Sequence, residues 1–306
     1  HPVAHSFPTR RSSDLLQLYD TAAIISSCRI EGAQAESSIG AALYVSNSTL
    51  SKCFIGGGSN DYSTGVFAYQ SDAPAVVDCV IEGGTGEQTS AVHLVDSSMT
   101  IERNVIYGGN ARVDANGITA KTGSHATIRN NRIDAGTATS TFGLWVQDSS
   151  PTIQNNIIEG GGASGVVTDS LAEGIHVYAS SSAEIVNNII TVTSGQSRHA
   201  ISVGDASSPP ASVNNNCFHD YGSGGFWRIY LDIDRTLEYT EIGQLNGTTY
   251  FPASGNVATD PFLDWAGDWN FTIDTPTTVT DGGLNLSALF TEDITGATRP
   301  ASGAWS

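Results

Sequence analysis

Apolar residues recur along most of the chain in a short unit that repeats about every 25 residues. The unit is an apolar residue, two variable residues, Cys or Asn, one variable residue, and then Ile or Phe. Its eight copies begin at Ile25, Leu50, Val76, Ile101, Ile128, Ile153, Ile185 and Val213. The spacings are 25, 26, 25, 27, 25, 32 and 28 residues, and the longest contains the glycine-rich insertion 160–174. Near-constant spacing with local insertions is typical of a solenoid.

A second apolar pattern follows each copy of this unit. It is a small residue, then apolar, variable and apolar, as in Gly65-Val66-Phe67-Ala68 and Gly143-Leu144-Trp145-Val146. Alternation with period two indicates a strand that is buried on one face, and Gly, Ser, Asp and Pro mark the turns. The two patterns predict an all-β fold, a right-handed parallel β-helix of about eight coils over 16–225. An irregular C-terminal segment, 226–306, would follow or pack on the last coil.

The fourth position of the first unit predicts a ladder of equivalent side chains along the stack. From coil to coil it reads Cys28, Cys53, Cys79, Asn104, Asn131, Asn156, Asn188 and Asn216. Equivalent residues in stacked strands lie about 4.8 Å apart, so asparagine amides can hydrogen-bond along the ladder. Cysteine suits the same bend as a small apolar residue. We therefore interpret the cysteines as unpaired core thiols, with a disulfide between coils as the alternative.

Two motifs near the C-terminus accompany the repeats. Asp260-Pro261-Phe262 is followed by Asp293, Gly296, Arg299 and Pro300 in Asp-x-x-Gly-x-x-Arg-Pro spacing. With the repeats, these residues resemble bacterial right-handed β-helix repeat proteins, many of which are secreted or attached to the cell surface. The resemblance implies an extracellular or cell-surface location and further chain beyond both ends. The fold hosts lyases, hydrolases, epimerases, phage spikes and adhesins, so it does not define a function.

The first residues differ from everything that follows. Residues 5–15 resemble a translated sequencing adapter, and we interpret 1–15 as a non-native leader. The whole chain has a net charge of −18 at pH 7, with 14% charged residues. This charge argues against nucleic acid as a partner, because nucleic-acid binding needs basic patches. No apolar run has the length of a membrane span, so we expect no membrane insertion.

The second strand of each coil carries a column of aromatic residues. Between its two core positions stand Tyr44, Phe67, His93, Thr119, Trp145, His176 and Ser202. Two residues further along stand Ser46, Tyr69, Val95, Lys121, Gln147, Tyr178 and Gly204. Solvent-facing aromatic rings suit stacking on sugars, which makes a polysaccharide or cell-surface glycan the candidate partner. The alternatives are that aromatics merely favour strands and cover neighbours, or that they form a protein interface.

A second column follows the first strand of each coil. It reads Glu31, Gly56, Glu82, Tyr107, Asp134, Glu159, Thr191 and His219. Asp134 and Glu159 fall on adjacent coils, about 5 Å apart. We interpret this pair as solvated surface charge. One alternative is a Ca²⁺ site, and Ca²⁺ is the one cofactor that the sequence suggests. The other is the carboxyl pair of a retaining glycosidase. His176 is the third candidate catalytic residue, because it lies beside Trp145 in the stack.

The function predicted from these patterns is non-catalytic binding of a glycan or a partner on one face of the solenoid. The sequence lacks paired Asp-Asp, Gly-His-Gly and Asp-Pro-His-Asp motifs of polysaccharide-active enzymes. A polysaccharide lyase, epimerase or glycoside hydrolase remains the first alternative, and a structural stalk the second. The insertion 160–174 is long enough to wall a groove, and it adjoins both Glu159 and His176.

Overall fold

A computed structural model describes residues 15–163, 170–223, 225–261, 283–293, 296–299 and 302. Within these residues each coil contributes one strand to each of three parallel sheets, here named A, B and C. All neighbouring strands run parallel except the last pair of sheet A. The predicted parallel β-helix is therefore confirmed.

Sheet A contains the longest strands, on which the candidate binding residues lie. Its strands are β1 (Leu16–Tyr19), β4 (Ser37–Tyr44), β7 (Ser59–Tyr69), β10 (Thr85–Val95), β13 (Asn110–Lys121), β16 (Thr137–Ala138), β17 (Ser140–Gln147), β20 (Gly162–Ala163), β21 (Leu171–Tyr178), β24 (Ser197–Val203), β27 (Phe226–Asp232) and β28 (Leu237–Tyr239).

Sheets B and C consist of short strands joined by a tight bend. Sheet B contains β2 (Ile24–Ser26), β5 (Thr49–Ser51), β8 (Ala75–Val77), β11 (Thr100–Glu102), β14 (Thr127–Arg129), β18 (Thr152–Gln154), β22 (Glu184–Val186), β25 (Ser212–Asn214) and β29 (Ala253–Ser254). Sheet C contains β3 (Arg29–Glu31), β6 (Phe54–Gly56), β9 (Val80–Glu82), β12 (Val105–Tyr107), β15 (Arg132–Asp134), β19 (Ile157–Glu159), β23 (Ile189–Val192), β26 (Cys217–Asp220) and β30 (Val257–Ala258).

The core is one continuous column of apolar side chains along the solenoid axis. The middle residue of each short strand points inward, because alternate residues of a strand face opposite sides. In sheet C these inward residues, all fully buried from the second coil to the seventh, are Ile55, Ile81, Ile106, Ile133, Ile158 and Ile190. Stacked isoleucines make each coil cover the next, so the core grows with the number of coils.

The bend between sheets B and C holds the asparagine ladder. Asn131 shows the pattern: its Oδ1 accepts from the Asn104 backbone N–H at 2.9 Å, and its Nδ2 donates to the Ile101 carbonyl at 2.8 Å. Equivalent bonds link Asn156, Asn188 and Asn216. The ladder continues to Asn256, 40 residues after Asn216, which the repeat spacing did not indicate.

The cysteines occupy the early rungs of the same bend. The Cys79 Sγ accepts from the Cys53 backbone N–H at 3.4 Å, and the Cys79 N–H donates to Asn104 Oδ1 at 2.8 Å. All four cysteines are free thiols. Cys53, Cys79 and Cys217 are buried, but Cys28 is exposed, so its interpretation as a core thiol is wrong. Cys28 lies in the first described coil, whose β2 residue Ile24 is also exposed.

A second ladder, made of serines, lies at the bend that follows sheet A. Each backbone N–H in it donates to the hydroxyl of the equivalent serine in the next coil, as in Ser46 to Ser71 and Ser71 to Ser97. The bonds continue through Ser124, Ser149, Ser181 and Ser208. Sequence analysis did not identify this ladder, because serine is common throughout the chain.

The segment after β26 adds a further coil instead of ending the helix in a partial one. Strands β27 and β28 form an antiparallel hairpin at the edge of sheet A, and β29 and β30 extend sheets B and C. Between the hairpin and β29 lies the short helix α1 (Ile242–Asn246). Leu245 and Phe251 are buried in the core, so this segment covers the last coil.

The described part of the tail runs along the outside of the bend between sheets B and C. The Leu284 backbone exchanges two hydrogen bonds with the Asn187 side chain, at 2.7 and 2.8 Å. The Glu292 carboxylate pairs with Arg103 Nη1 at 2.9 Å. In the Asp-x-x-Gly-x-x-Arg-Pro motif, Asp293 Oδ1 accepts a hydrogen bond from the Ala297 N–H. Pro300 of this motif and Phe262 of the preceding motif lie outside the described residues. None of the described helices has the length and apolar character to cross a membrane.

Candidate functional site

In eight strands of sheet A two consecutive residues face the core, and we call this interruption of the alternation the bend; these strands are β4, β7, β10, β13, β17, β21, β24 and β27. In β17 these are Gly143 and Leu144, so the outward side chains on either side, Phe142 and Trp145, are three residues apart. They contact each other edge to face, with ring centroids 4.7 Å apart. A Cβ on Gly143 would lie 2.5 Å from both the Gly174 carbonyl oxygen and Ile158 Cγ2. At this position of β17 a larger side chain would therefore clash, whereas β10, β24 and β27 have Ala91, Ala200 and Ile229 there.

We call the outer surface at this bend the crease; it consists of two columns of side chains. The residues before the bend are Thr64, Ser90, Asn116, Phe142, Glu173, His199 and Arg228. The residues after it are Phe67, His93, Thr119, Trp145, His176, Ser202 and Leu231. Side chains of the two columns contact one another across the bend, as Ser90 and Thr119 do through their hydroxyls at 3.1 Å.

The predicted register of Tyr44 is wrong by two residues. Ala42, not Tyr44, pairs with Phe67, and Tyr44 pairs with Tyr69 in the next outward column. The cause is Gly40, which occupies the bend: a Cβ there would lie 2.8 Å from the Gly65 carbonyl oxygen. Tyr44 therefore lies beside the crease, stacked on Tyr19 with ring centroids 4.6 Å apart and nearly parallel planes.

The aromatic column is less exposed than predicted. Phe67, His93, Trp145 and His176 are half-buried, because the bend folds each strand towards its own outward side chains. Thr119 and Ser202 in the same column are buried. Among the predicted glycan-binding residues, only Tyr69 and Tyr178 are exposed, at 38% and 41% of their surface.

The densest aromatic group lies around Trp145. The His176 ring is 4.7 Å from the Trp145 ring between centroids, and Tyr178 lies 6.3 Å from His176 on the same strand. Phe142 contacts both Trp145 and His176. The structure thus brings together three of the predicted binding residues, Trp145, His176 and Tyr178, and adds Phe142 to them.

A charged cluster adjoins these rings. The carboxylate of Glu173 lies 2.8 Å from His176 Nδ1 through Oε2 and 2.8 Å from His199 Nδ1 through Oε1. The hydroxyl of Ser202 donates to the same Oε2 and lies 2.7 Å from His176 Nδ1. Glu173 and His199 are buried, and His176 is half-buried at the surface of the crease.

Glu173 is held as a carboxylate by this arrangement. Burial alone would raise the pKa of Glu173, but the hydrogen bonds from His176 and His199 outweigh it and lower the pKa to about 2. An ionised carboxylate accepts hydrogen bonds only, so each imidazole directs Nδ1–H at it. In a neutral imidazole the remaining nitrogen, Nε2, is then an acceptor.

The cluster is not a serine nucleophile site. A nucleophilic serine needs its histidine base on one ring nitrogen and the orienting carboxylate on the other. Here Ser202 and Glu173 both contact Nδ1 of His176. The arrangement can instead orient His176 so that Nε2 is the nitrogen offered to a ligand, as a hydrogen-bond acceptor or a base.

His93 lies two coils before Trp145 in the second column of the crease. Burial, with the charge of nearby Lys121 as the second cause, lowers the pKa of His93 to about 4. His93 is therefore neutral at physiological pH. Lys121 also acts on the Asp114 carboxyl, whose pKa is nevertheless raised, because burial outweighs the Lys121 charge.

The carboxyl pair Asp134 and Glu159 forms a separate group on sheet C. The predicted column is present, because Tyr107 pairs with Asp134, Asp134 with Glu159, and Glu159 with Thr191. Glu159 is only 8% exposed and Asp134 is half-buried. The favoured interpretation of this pair as solvated surface charge is therefore wrong. No contact links the pair to His176 in the described part of the chain.

Burial changes the protonation of this pair. Burial first, and the neighbouring Asp134 carboxyl second, raise the pKa of Glu159 to about 7. Burial also raises the pKa of Asp134, although the Gly136 N–H and Arg132 act in the opposite direction. The pair therefore retains a proton that two exposed carboxyls would lose. The described residues contain no group of three or more acidic, His or Cys side chains arranged for a metal ion, and Ca²⁺ binding here stays a prediction.

Sequence reasoning missed the centre of the crease. Glu173 and His199 were not among the candidates, since the column before the bend was not recognised. A usable signal was present: Glu173 is a carboxylate three residues before His176 within an otherwise apolar strand. The insertion 160–174 cannot be assessed as a wall of the crease, because 164–169 lie outside the described residues, and its last four residues belong to β21.

Comparison with known proteins agrees with this architecture. A family model described as a right handed beta helix region matches residues 9–133 and 64–232, which include nearly the whole crease. No curated protein and no solved structure matched the chain. The family match covers well over half of the 306 residues, and its repeated coils are those of the three parallel sheets. The chain belongs to the right-handed β-helix family.

Proposed function

We propose that this chain is an extracellular or cell-surface β-helix protein that binds a glycan in the crease without cleaving it. The observation that carries the proposal is the half-exposed Trp145, fixed between Phe142 and His176 beside polar side chains. Flat rings with neighbouring hydrogen-bonding groups suit a sugar, which has apolar faces and a polar rim. The proposed location rests on the resemblance of the repeats and of the Asp-x-x-Gly-x-x-Arg-Pro motif to secreted or surface-attached β-helix proteins.

A rigid binding face explains the bend better than a structural stalk does. A stalk needs only covered coils, whereas the bend of β17 excludes a side chain at Gly143 and brings polar and aromatic side chains together. Three buried polar atoms in the crease, Trp145 Nε1, Asn116 Oδ1 and Arg228 Nε, make no hydrogen bond to the described residues. Such atoms cost free energy unless water or a ligand satisfies them.

A polysaccharide-active enzyme is the second candidate, and the Glu173 cluster favours it. A carboxylate that fixes the tautomer of His176 resembles the way enzymes orient a general base. In this case His176→Ala would abolish release of reducing or unsaturated ends, whereas a binding protein releases none with or without the substitution.

Replacing Trp145 with alanine should weaken glycan binding by about tenfold or more, since stacking and apolar burial are both lost. The measurement is calorimetric titration with the oligosaccharides that bind best in a screen. Tyr250→Ala is the matched control, because Tyr250 is an exposed aromatic residue in the C-terminal segment, away from the crease. Equal affinities of Trp145→Ala and the unaltered protein would refute binding in the crease.

A further inference from the structure

We infer that the crease selects a neutral, hydroxyl-rich glycan and rejects uronic acid chains, with Glu173 as the residue that sets this preference. The inference rests on the proposed glycan binding and names its substrate class. It follows from the charges, the hydrogen-bonding groups and the aromatic rings that the two columns present.

The crease has no uncompensated cation for a sugar carboxylate among its described residues. Arg228 is the one formally cationic side chain in the two columns, and its Nε pairs with the Glu238 carboxylate at 3.1 Å. Lys121 lies in the neighbouring outward column, paired with Val95 and Gln147, and its charge acts on the crease residue His93 as well as on the Asp114 carboxyl. Recognition of a carboxylate relies on arginine, lysine or a metal ion.

Glu173 instead places a negative charge beside the aromatic rings. Its carboxylate is almost fully buried, so water screens it poorly and its field reaches the surface of the crease. Its partner His176 contacts Trp145, so the carboxylate lies close to any sugar stacked on that ring. The net charge of −18 repels a polyanion at longer range as well.

The remaining groups match sugar hydroxyls. Ser90 and Thr119 carry buried hydroxyls that lie 3.1 Å apart, and Asn116 carries a carboxamide whose buried Oδ1 has no hydrogen-bond partner among the described residues. Glu173 holds Nδ1 of His176, which leaves Nε2 as the ring nitrogen that can meet a sugar hydroxyl. These groups are uncharged donors and acceptors, which a neutral sugar satisfies without the cost of bringing two negative charges together.

The test uses the full chain at pH 8, where an ordinary imidazole is neutral. Neutral hexasaccharides of the cello, manno, xylo and galacto series are titrated against hexasaccharides of galacturonate and mannuronate. The best neutral ligand should bind at least about tenfold more tightly than either uronate. Tighter binding of a uronate would overturn the inference and leave glycan binding intact, whereas no binding of any oligosaccharide would overturn both.

Two further measurements assign the preference to charge. We define the preference as the affinity for the best neutral oligosaccharide divided by the affinity for a uronate. Raising NaCl from 0.02 to 0.5 M should lower this ratio for the unaltered protein, because salt screens the repulsion of the uronate. Glu173→Gln should lower the ratio at least about threefold at low salt. Glu36 is an exposed carboxylate in an early coil, and Glu36→Gln should leave the ratio unchanged. A preference unaffected by salt and by Glu173→Gln would refute the assigned role of Glu173.

Discussion

Replacing Asn131 with alanine is expected to lower the free energy of unfolding by about 3–5 kcal/mol. The side chain makes bonds in three directions: to its own strand, to the coil before and to the coil after. Without it the buried Asn104 N–H loses its acceptor, and the buried Ile101 carbonyl loses the bond from Nδ2. Each orphaned buried polar group costs about 1–3 kcal/mol, so the effect exceeds that of losing one hydrogen bond.

Equilibrium urea unfolding measures this loss, and Asn110→Ala is its control. Asn110 is exposed and accepts hydrogen bonds only from the hydroxyls of Tyr107 and Thr137. Its replacement should cost less than about 1 kcal/mol. Similar losses for the two variants would contradict the view that the ladder stabilises the stack.

The second large effect is pH-dependent and arises from Glu159. Its pKa is raised in the folded protein to about 7, above the ordinary value of 4.5, so the folded state binds this proton more tightly. The free energy of unfolding contributed by this group is highest below pH 4.5 and falls as pH rises towards 7. The difference amounts to about 3 kcal/mol for a shift of this size.

Glu159→Gln removes the titrating group and should make stability less dependent on pH between 5 and 8. At pH 8 the variant should melt at a higher temperature than the unaltered protein, because a buried charge is replaced by a neutral amide of similar shape. Thermal unfolding at several pH values, with Glu36→Gln as the exposed control, gives the comparison. Parallel pH profiles for Glu159→Gln and the unaltered protein would show that Glu159 ionises as an exposed residue does.

The coils could be predicted from sequence because every coil obeys the same local rules. Ile or Phe at one position and Asn or Cys at another recur at a spacing that only stacking explains, so sheets B and C and most of the ladder follow directly. Asn256 was not predicted as part of the ladder, because a hairpin and a helix separate it from Asn216. The serine ladder was not predicted, because serine is so frequent in the chain that its recurrence at one position of the repeat does not stand out.

The crease was harder to predict because it depends on where each strand of sheet A bends. Placing Tyr44 correctly required recognising Gly40, not the aromatic residue, as the equivalent position. The cluster around Glu173 combines residues from two coils and from both sides of a bend, and sequence spacing describes neither relation. The burial of Glu159 was likewise not indicated by any residue pattern.

The central claim, that the crease binds a glycan, is tested most directly by the indole N–H signal of Trp145 in an NMR titration. Loss of one signal in Trp145→Phe assigns it, and a neutral oligosaccharide is then added to the unaltered protein. If the glycan binds in the crease, the Trp145 signal shifts in a saturable way. The signal of Trp227, which packs against the core, stays in place. Saturable binding that leaves the Trp145 signal unmoved would place the glycan elsewhere and refute binding in the crease.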